Sequence, residues 1–205
     1  GKGEEKVELL SPDGEVIEVD AQHVHHVHKT VGVSREEARQ GIPDRKFVMV
    51  VDLGRCNNAR KCVIACQKMH YLPEDKEWLV VLIMRESDKE PPFWFPKTCF
   101  HCDKPPCVKV CPVDATFKRN DGLVVLYNER CIGGKFCMAA CPYSTRVFNW
   151  DEPEQPEGIA NMESSPETSL PRRIGTVEKC DFCPDMVRQG VLPDCVTACP
   201  NGVFY

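Results

Sequence analysis

Cys99-Phe-His-Cys102-Asp-Lys-Pro-Pro-Cys107-Val-Lys-Val-Cys111-Pro112 is the stretch from which the rest of this chain can be read. Four thiols stand in one short run. Its ending, three residues and then Cys-Pro, recurs from Cys137 to Cys141-Pro142 and from Cys195 to Cys199-Pro200. Around these endings the fourteen cysteines fall into four groups: Cys56, Cys62 and Cys66; Cys99, Cys102, Cys107 and Cys111; Cys131, Cys137 and Cys141; and Cys180, Cys183, Cys195 and Cys199. Repetition at this spacing is a ligand pattern, and iron–sulfur electron transfer is the leading expectation.

Each group resembles the bacterial ferredoxin run C-x2-C-x2-C-x3-C-P, in which three thiolates hold one cubane and the fourth reaches to another. The x2 spacing lets a tight loop wrap one corner of a cluster. The x3 spacing carries the chain into a helix, which proline ends soon after. Ala59 and Gly134 stand where groups one and three should have their second cysteine, and neither side chain can bind iron. An even number of cysteines would also permit a disulfide framework, but the bridges of small secreted domains seldom repeat one short motif four times. Zinc is the closer competitor, because Cys-x2-Cys occurs at 99/102 and 180/183; it does not account for the repeated Cys-Pro ending.

The chain has 205 residues, 42% of them hydrophobic, so it can bury one or two modest cores; seventeen prolines and thirteen glycines imply many turns. Metal binding would then supply part of the folding energy, and the cluster-free protein is expected to fold poorly. A net charge of −5 and the lack of any basic run with interleaved aromatics exclude a nucleic-acid surface. The longest apolar run, Trp78 to Met84, is far short of a membrane span, so no direct span is expected. No nucleophile constellation, phosphate loop, dinucleotide fingerprint or covalent haem motif occurs, so no catalytic residue is expected in this chain.

Upstream of the cysteines, Val7 to Leu10 and Glu15 to Val19 flank the turn Ser11-Pro-Asp-Gly14 and read as a hairpin. The histidines at 23, 25, 26 and 28 could ligate a metal, yet read more simply as an exposed extended segment. Ser34 and Glu37 form a capping box for a helix through Gln40. Strands are expected at Lys46 to Asp52, Leu123 to Tyr127 and Ile174 to Glu178, each leading into a cysteine group, which suggests duplicated βαβ units. Residues 151–171 hold six acidic residues and four prolines, and are expected to be an exposed loop. The fold class is therefore α+β: tandem ferredoxin-like two-cluster modules with long loops (46–205, with an acidic, proline-rich insert at 150–172) and an N-terminal arm (1–45).

Cys99 through Cys107, Arg130-Cys131-Ile-Gly-Gly134 through Cys141-Pro-Tyr143, and Lys179-Cys180-Asp-Phe-Cys183 through Cys199-Pro200 resemble the four-cluster electron-transfer subunits of the DMSO-reductase-type complex iron–sulfur molybdoenzymes, over roughly residues 46–205. In that family group one pairs with four and two with three, and the clusters lie in a line. The resemblance implies [4Fe–4S] clusters at Cys99/Cys102/Cys107/Cys141 and at Cys66/Cys180/Cys183/Cys195. It leaves three thiolates at Cys56/Cys62/Cys199 and three at Cys111/Cys131/Cys137. Each of these two sites has three outcomes: [3Fe–4S], a [4Fe–4S] cluster with a non-cysteine ligand, or no cluster. [3Fe–4S] is favoured at both, since losing the unheld iron disrupts least. Respiratory nitrate reductase relatives, which also lack a cysteine matching Gly134, carry a three-iron cluster there.

The resemblance further implies a large molybdopterin-type or related catalytic subunit, a quinone-interacting integral membrane subunit and, as in alternative complex III, a multihaem cytochrome. It places the chain peripherally at a membrane through these partners, with the periplasmic face favoured. Relatives often continue past the point matching Tyr205. Two competing readings are a structural subunit with degenerate sites or zinc in the intact ones, and a free soluble ferredoxin, against which the long inserts at 67–98 and 142–179 speak.

Overall fold

The structure, a computed structural model, describes residues 32–205 and the strands β1 (Lys6–Leu10) and β2 (Val16–Asp20). These two strands pair antiparallel with Val7 opposite Val19, giving the expected hairpin. Its turn residues and the histidines at 23–28 lie outside the described residues. Helix α1 (Arg35–Gln40) opens at the expected capping box: Ser34 Oγ accepts from the Glu37 amide at 3.2 Å, and Glu37 Oε2 accepts from the Ser34 amide at 2.9 Å. The order then runs α2 (Lys61–Met69), β3 (Val80–Met84), β4 (Phe93–Lys97), α3 (Pro106–Lys109), β5 (Thr116–Lys118), β6 (Val124–Leu126), α4 (Phe136–Ala139), β7 (Val147–Phe148), α5 (Glu157–Ala160), β8 (Val177–Glu178), α6 (Pro184–Arg188) and α7 (Asp194–Thr197).

The strands follow one rule: chain leaving a cysteine group pairs antiparallel with chain entering another. Strand β3 leaves group one and pairs with β4, which enters group two; β5 leaves two and pairs with β6, which enters three; β7 leaves three and pairs with β8, which enters four. The segment entering group one closes the circuit. Val50 and Tyr205 exchange amide-to-carbonyl hydrogen bonds at 2.9 Å, and Val51 bridges Phe204. The strand expected at Lys46 to Asp52 is thus an extended segment with a single bridge. It keeps the alternation of a strand, with Val48 and Val50 exposed and Phe47, Met49 and Val51 turned toward the protein. The strand expected at Ile174 to Glu178 contracts to Val177–Glu178, whereas Leu123 to Tyr127 contains β6 as expected.

Two apolar clusters form the core around the cysteine helices. Val63, Leu79, Val203 and Phe204 pack with Cys62 and Cys195 where α2 meets α7. Val124, Leu126 and Val177 pack with Cys107 and Cys137 where α3 meets α4.

The acidic segment corrects the expectation of an exposed loop. Residues 151–163 are largely exposed, but Ser164 and residues 166–172 are buried. The buried charges there are paired, Glu167 with arginines from elsewhere in the chain. Glu167 receives Arg119 Nη1 at 2.9 Å and Arg188 Nε at 2.7 Å, and Arg119 also holds Asp121. Arg172, 1% exposed, donates to both oxygens of Glu178 and to the Tyr71 carbonyl. Acidic composition reads as solvated only when its counter-charges are distant, and these arginines come from other parts of the chain.

Candidate metal centres

All four helices that follow the cysteine loops begin one residue before a cysteine: Cys62 in α2, Cys107 in α3, Cys137 in α4 and Cys195 in α7. These four thiols are 7–8% exposed. Sulfur at a helix start sits near unsatisfied backbone N–H groups, which favour negative charge. The loops before the helices share one backbone feature. The residue two after the first cysteine is left-handed in each group: Asn58 (φ 61°), His101 (φ 43°), Gly133 (φ 69°) and Phe182 (φ 75°). Only Gly133 adopts this without steric cost, and no side chain fits there, since a Cβ would lie 2.3 Å from the Gly175 carbonyl oxygen.

A second repeat follows each Cys-Pro. Asp114, Ser144 and Gly202, three residues after Cys111, Cys141 and Cys199, are all left-handed. This turn aims the next amide back at sulfur: the Ala115 amide donates to Cys111 Sγ at 3.2 Å and the Val203 amide to Cys199 Sγ at 3.5 Å. Thr145 serves Cys141 through its amide and hydroxyl. Burial alone would raise Cys111 and Cys141, but the amides of Thr116, Val113 and Ala115 at Cys111, and Thr145 with the Tyr143 amide at Cys141, outweigh it and both thiols fall below their ordinary pKa.

At Cys62, Cys66, Cys102, Cys137, Cys180, Cys183 and Cys195 burial wins, and neighbouring thiols add to it. Burial pushes Cys62 up to about 11, with Cys199 and Cys56 adding to it. Burial, then Cys180 and Cys195, holds Cys66 well above its usual value. Cys183 is raised by burial, Asp181, Cys195, Cys66 and Cys180. Cys102 is raised by burial, then by Cys99, Cys107 and Cys141. Cys137 is raised by burial, with Arg146 opposing and Cys131, Cys111 and Cys107 adding. All fourteen thiols are free, and these influences join Cys62 to Cys56 and Cys199, Cys66 and Cys183 to Cys180 and Cys195, Cys102 to Cys99, Cys107 and Cys141, and Cys137 to Cys131 and Cys111. Thiols of different sets also influence one another, Cys62 with Cys66 and Cys195, Cys180 with Cys99, and Cys137 with Cys107.

This donor chemistry fits iron–sulfur clusters. Dense, buried thiols with raised pKa values cannot stay together as bare thiolates, and iron supplies the missing positive charge. Cys56, Cys62 and Cys199 line one cavity with Asn58, Val81 and Phe204. Asn58 Oδ1 is buried without a hydrogen-bond partner among the described residues, and Asn58 lines the same cavity as these thiols. At Gly134 a Cβ would meet the Phe136 ring at 3.3 Å, so that ring borders the place of the missing cysteine.

Several side chains around the thiols carry no motif in the sequence. Buried Arg146 donates to Thr116 Oγ1 at 2.9 Å and lowers Cys141. His101, half-buried, accepts the Val124 amide on Nδ1 at 2.8 Å; desolvation of the ring, then Lys179, Lys118 and Arg146, holds its pKa well below the usual range. His70 Nε2 lies 3.5 Å from Cys183 Sγ and 3.8 Å from Asp181 Oδ1. His70, Asp181 and Cys183 would also suit zinc by donor type, but Cys183 shares its site with three further thiols. The one legible hint was position: Asp181 lies inside a Cys-x2-Cys, and His70 lies four residues after Cys66.

Residues 92–158 match the family model of a 4Fe-4S dicluster domain. The chain is 36% identical to the iron–sulfur cluster-binding subunit of menaquinone reductase from Nitratidesulfovibrio vulgaris, over 78% of this chain and 74% of that one. It is 34% identical to the iron–sulfur subunit of arsenate respiratory reductase from a Shewanella species, over 75% and 77%. It is 34% identical to a selenate reductase subunit of Mesobacillus selenatarsenatis, over 98% and 72%. The chain spans 59–63% of the length of the first curated relatives it matches.

Proposed function

The chain belongs to the family of iron–sulfur electron-transfer subunits of DMSO-reductase-type oxidoreductases, and from that premise we propose that it relays single electrons along four cluster sites between a quinone-linked membrane subunit or cytochrome and a molybdopterin-type catalytic subunit. One observation supports this reading: Cys62 influences Cys195, Cys99 influences Cys180 and Cys107 influences Cys137, each pair joining one proposed set to the next. A linear order of sites is what a relay requires.

Iron–sulfur clusters supply one-electron chemistry at potentials set by type, charge, sulfur hydrogen bonds and exposure. The residues of this chain hold and shield them. The two four-thiol sets are read as [4Fe–4S] sites and the Cys111/Cys131/Cys137 set as [3Fe–4S]. Cys56/Cys62/Cys199 is read as [3Fe–4S] too, with Asn58 the residue that would make it four-iron. Groups one and four, and groups two and three, are read as tandem two-cluster modules, supported by the α2–α7 and α3–α4 contacts. Residues 1–45 are kept as an extension.

No helix among the described residues is long and apolar enough to cross a membrane, so association through partners is the reading adopted; the periplasmic face rests on the resemblance alone. The test is low-temperature EPR of anaerobically purified protein during stepwise reduction, with iron and acid-labile sulfide quantified. Four clusters with a three-iron signal in the oxidised state are expected; zinc without sulfide would remove the reading.

A further inference from the structure

Three of the four group-final cysteines are served by the residue four positions on: Cys111 by Ala115, Cys141 by Thr145 and Cys199 by Val203. Cys66 is the exception. Glutamine follows it where the others have proline, so α2 continues to Met69 and the amide four positions on, that of His70, is spent on the Cys66 carbonyl at 3.1 Å. The same residue instead brings a side chain to the same site. His70 is 2% exposed, its ring packs on Trp78 with centroids 4.5 Å apart, and Nε2 sits 3.5 Å from Cys183 Sγ.

The surroundings determine what Nε2 does. Besides Cys183 Sγ it faces Asp181 Oδ1 at 3.8 Å, and Asp181 Oδ1 in turn accepts the Cys183 amide at 2.9 Å. A thiolate and a carboxylate are both acceptors, so a hydrogen on Nε2 is the arrangement that leaves no lone pairs opposed. A sulfur hydrogen bond stabilises the reduced, more negative state of a cluster and raises its potential.

We propose that His70 donates a hydrogen bond from Nε2 to Cys183 Sγ and thereby sets the reduction potential of the cluster at Cys66/Cys180/Cys183/Cys195, standing in for the amide that helix α2 withholds from Cys66. His70 is a positioning residue, acting through Cys183. The inference rests on the ligand assignment proposed above.

The test is an EPR-monitored potentiometric titration of the anaerobically purified protein with its native partners, comparing the unmodified chain, His70→Phe and His70→Gln at measured iron and sulfide content. His70→Phe keeps a ring against Trp78 and removes the donor. It is expected to lower the midpoint of one four-iron signal about tenfold in reduced-to-oxidised ratio, or ~59 mV for one electron, leaving the others in place. His70→Gln, which retains an N–H, is expected to recover part of the shift. An unchanged midpoint with full cluster content overturns the proposal, as does an equal shift of every cluster or loss of the cluster in both variants. If the unmodified protein lacks acid-labile sulfide, the ligand assignment itself fails.

Discussion

The two missing cysteines lie at backbone positions built alike. Ala59 and Gly134 each follow a left-handed residue and precede another, Arg60 (φ 55°) or Lys135 (φ 57°), which starts the helix. The two loops therefore follow one backbone path, with no thiol at either position. Cysteine introduced at 134 is expected to restore a fourth ligand, because the Phe136 ring in its way is 61% exposed and free to swing aside. In Gly134→Cys the three-iron EPR signal of that site should disappear while iron per chain rises by one atom. A signal that persists with unchanged iron would show that the site is not a three-iron centre held by Cys111, Cys131 and Cys137.

Among the elements, the buried part of the acidic segment depends on Glu167 standing between Arg119 and Arg188. Glu167→Ala leaves two guanidinium groups short of their partner and is expected to cost about 3–5 kcal/mol, seen as a lower urea midpoint under anaerobic conditions. Leu79→Ala, in the α2–α7 core, should cost about 2–5 kcal/mol by the same measurement. These two sites also mark the limits of sequence reading. The cysteine loops and their helices, the capping box at Ser34 and the β1–β2 hairpin were legible because each is specified by residues a few positions apart. Glu167 was not, since its partners lie 48 and 21 residues away and its local composition resembles solvated chain. The segment before Cys56 looked like a strand by alternation, but pairing depends on what lies opposite, and the facing residues are 203–205. The roles of His70 and Arg146 were hidden for the same reason: a hydrogen bond to sulfur from a distant side chain leaves no spacing to find.

For the whole molecule, the raised thiols give the cluster-free protein a defined pH response. Thiols whose folded pKa is raised contribute stability below about pH 9, their ordinary value, and lose it as pH climbs toward about 11 for Cys62 and about 12 for Cys180. The unfolded chain ionises first and is favoured. The folded fraction of chelator-treated, reduced protein, small already without clusters, should thus fall further from about pH 9 upward, whereas cluster-loaded protein, with no thiol protons left to release, should not follow that curve. The circuit of paired strands has a further consequence, for biogenesis. Cys99, Cys102, Cys107, Cys111, Cys131, Cys137 and Cys141 have all left the ribosome about sixty residues before Cys199, a delay of several seconds at ~5–20 residues per second. On the proposed ligand sets the sites at Cys56 and Cys66 wait for Cys195 and Cys199, so a pulse-labelled chain is expected to take up iron at residues 99–141 first. Any quality check that holds the chain until loading is complete would have to wait for Cys199 and the segment just after it, where Phe204 meets Val51.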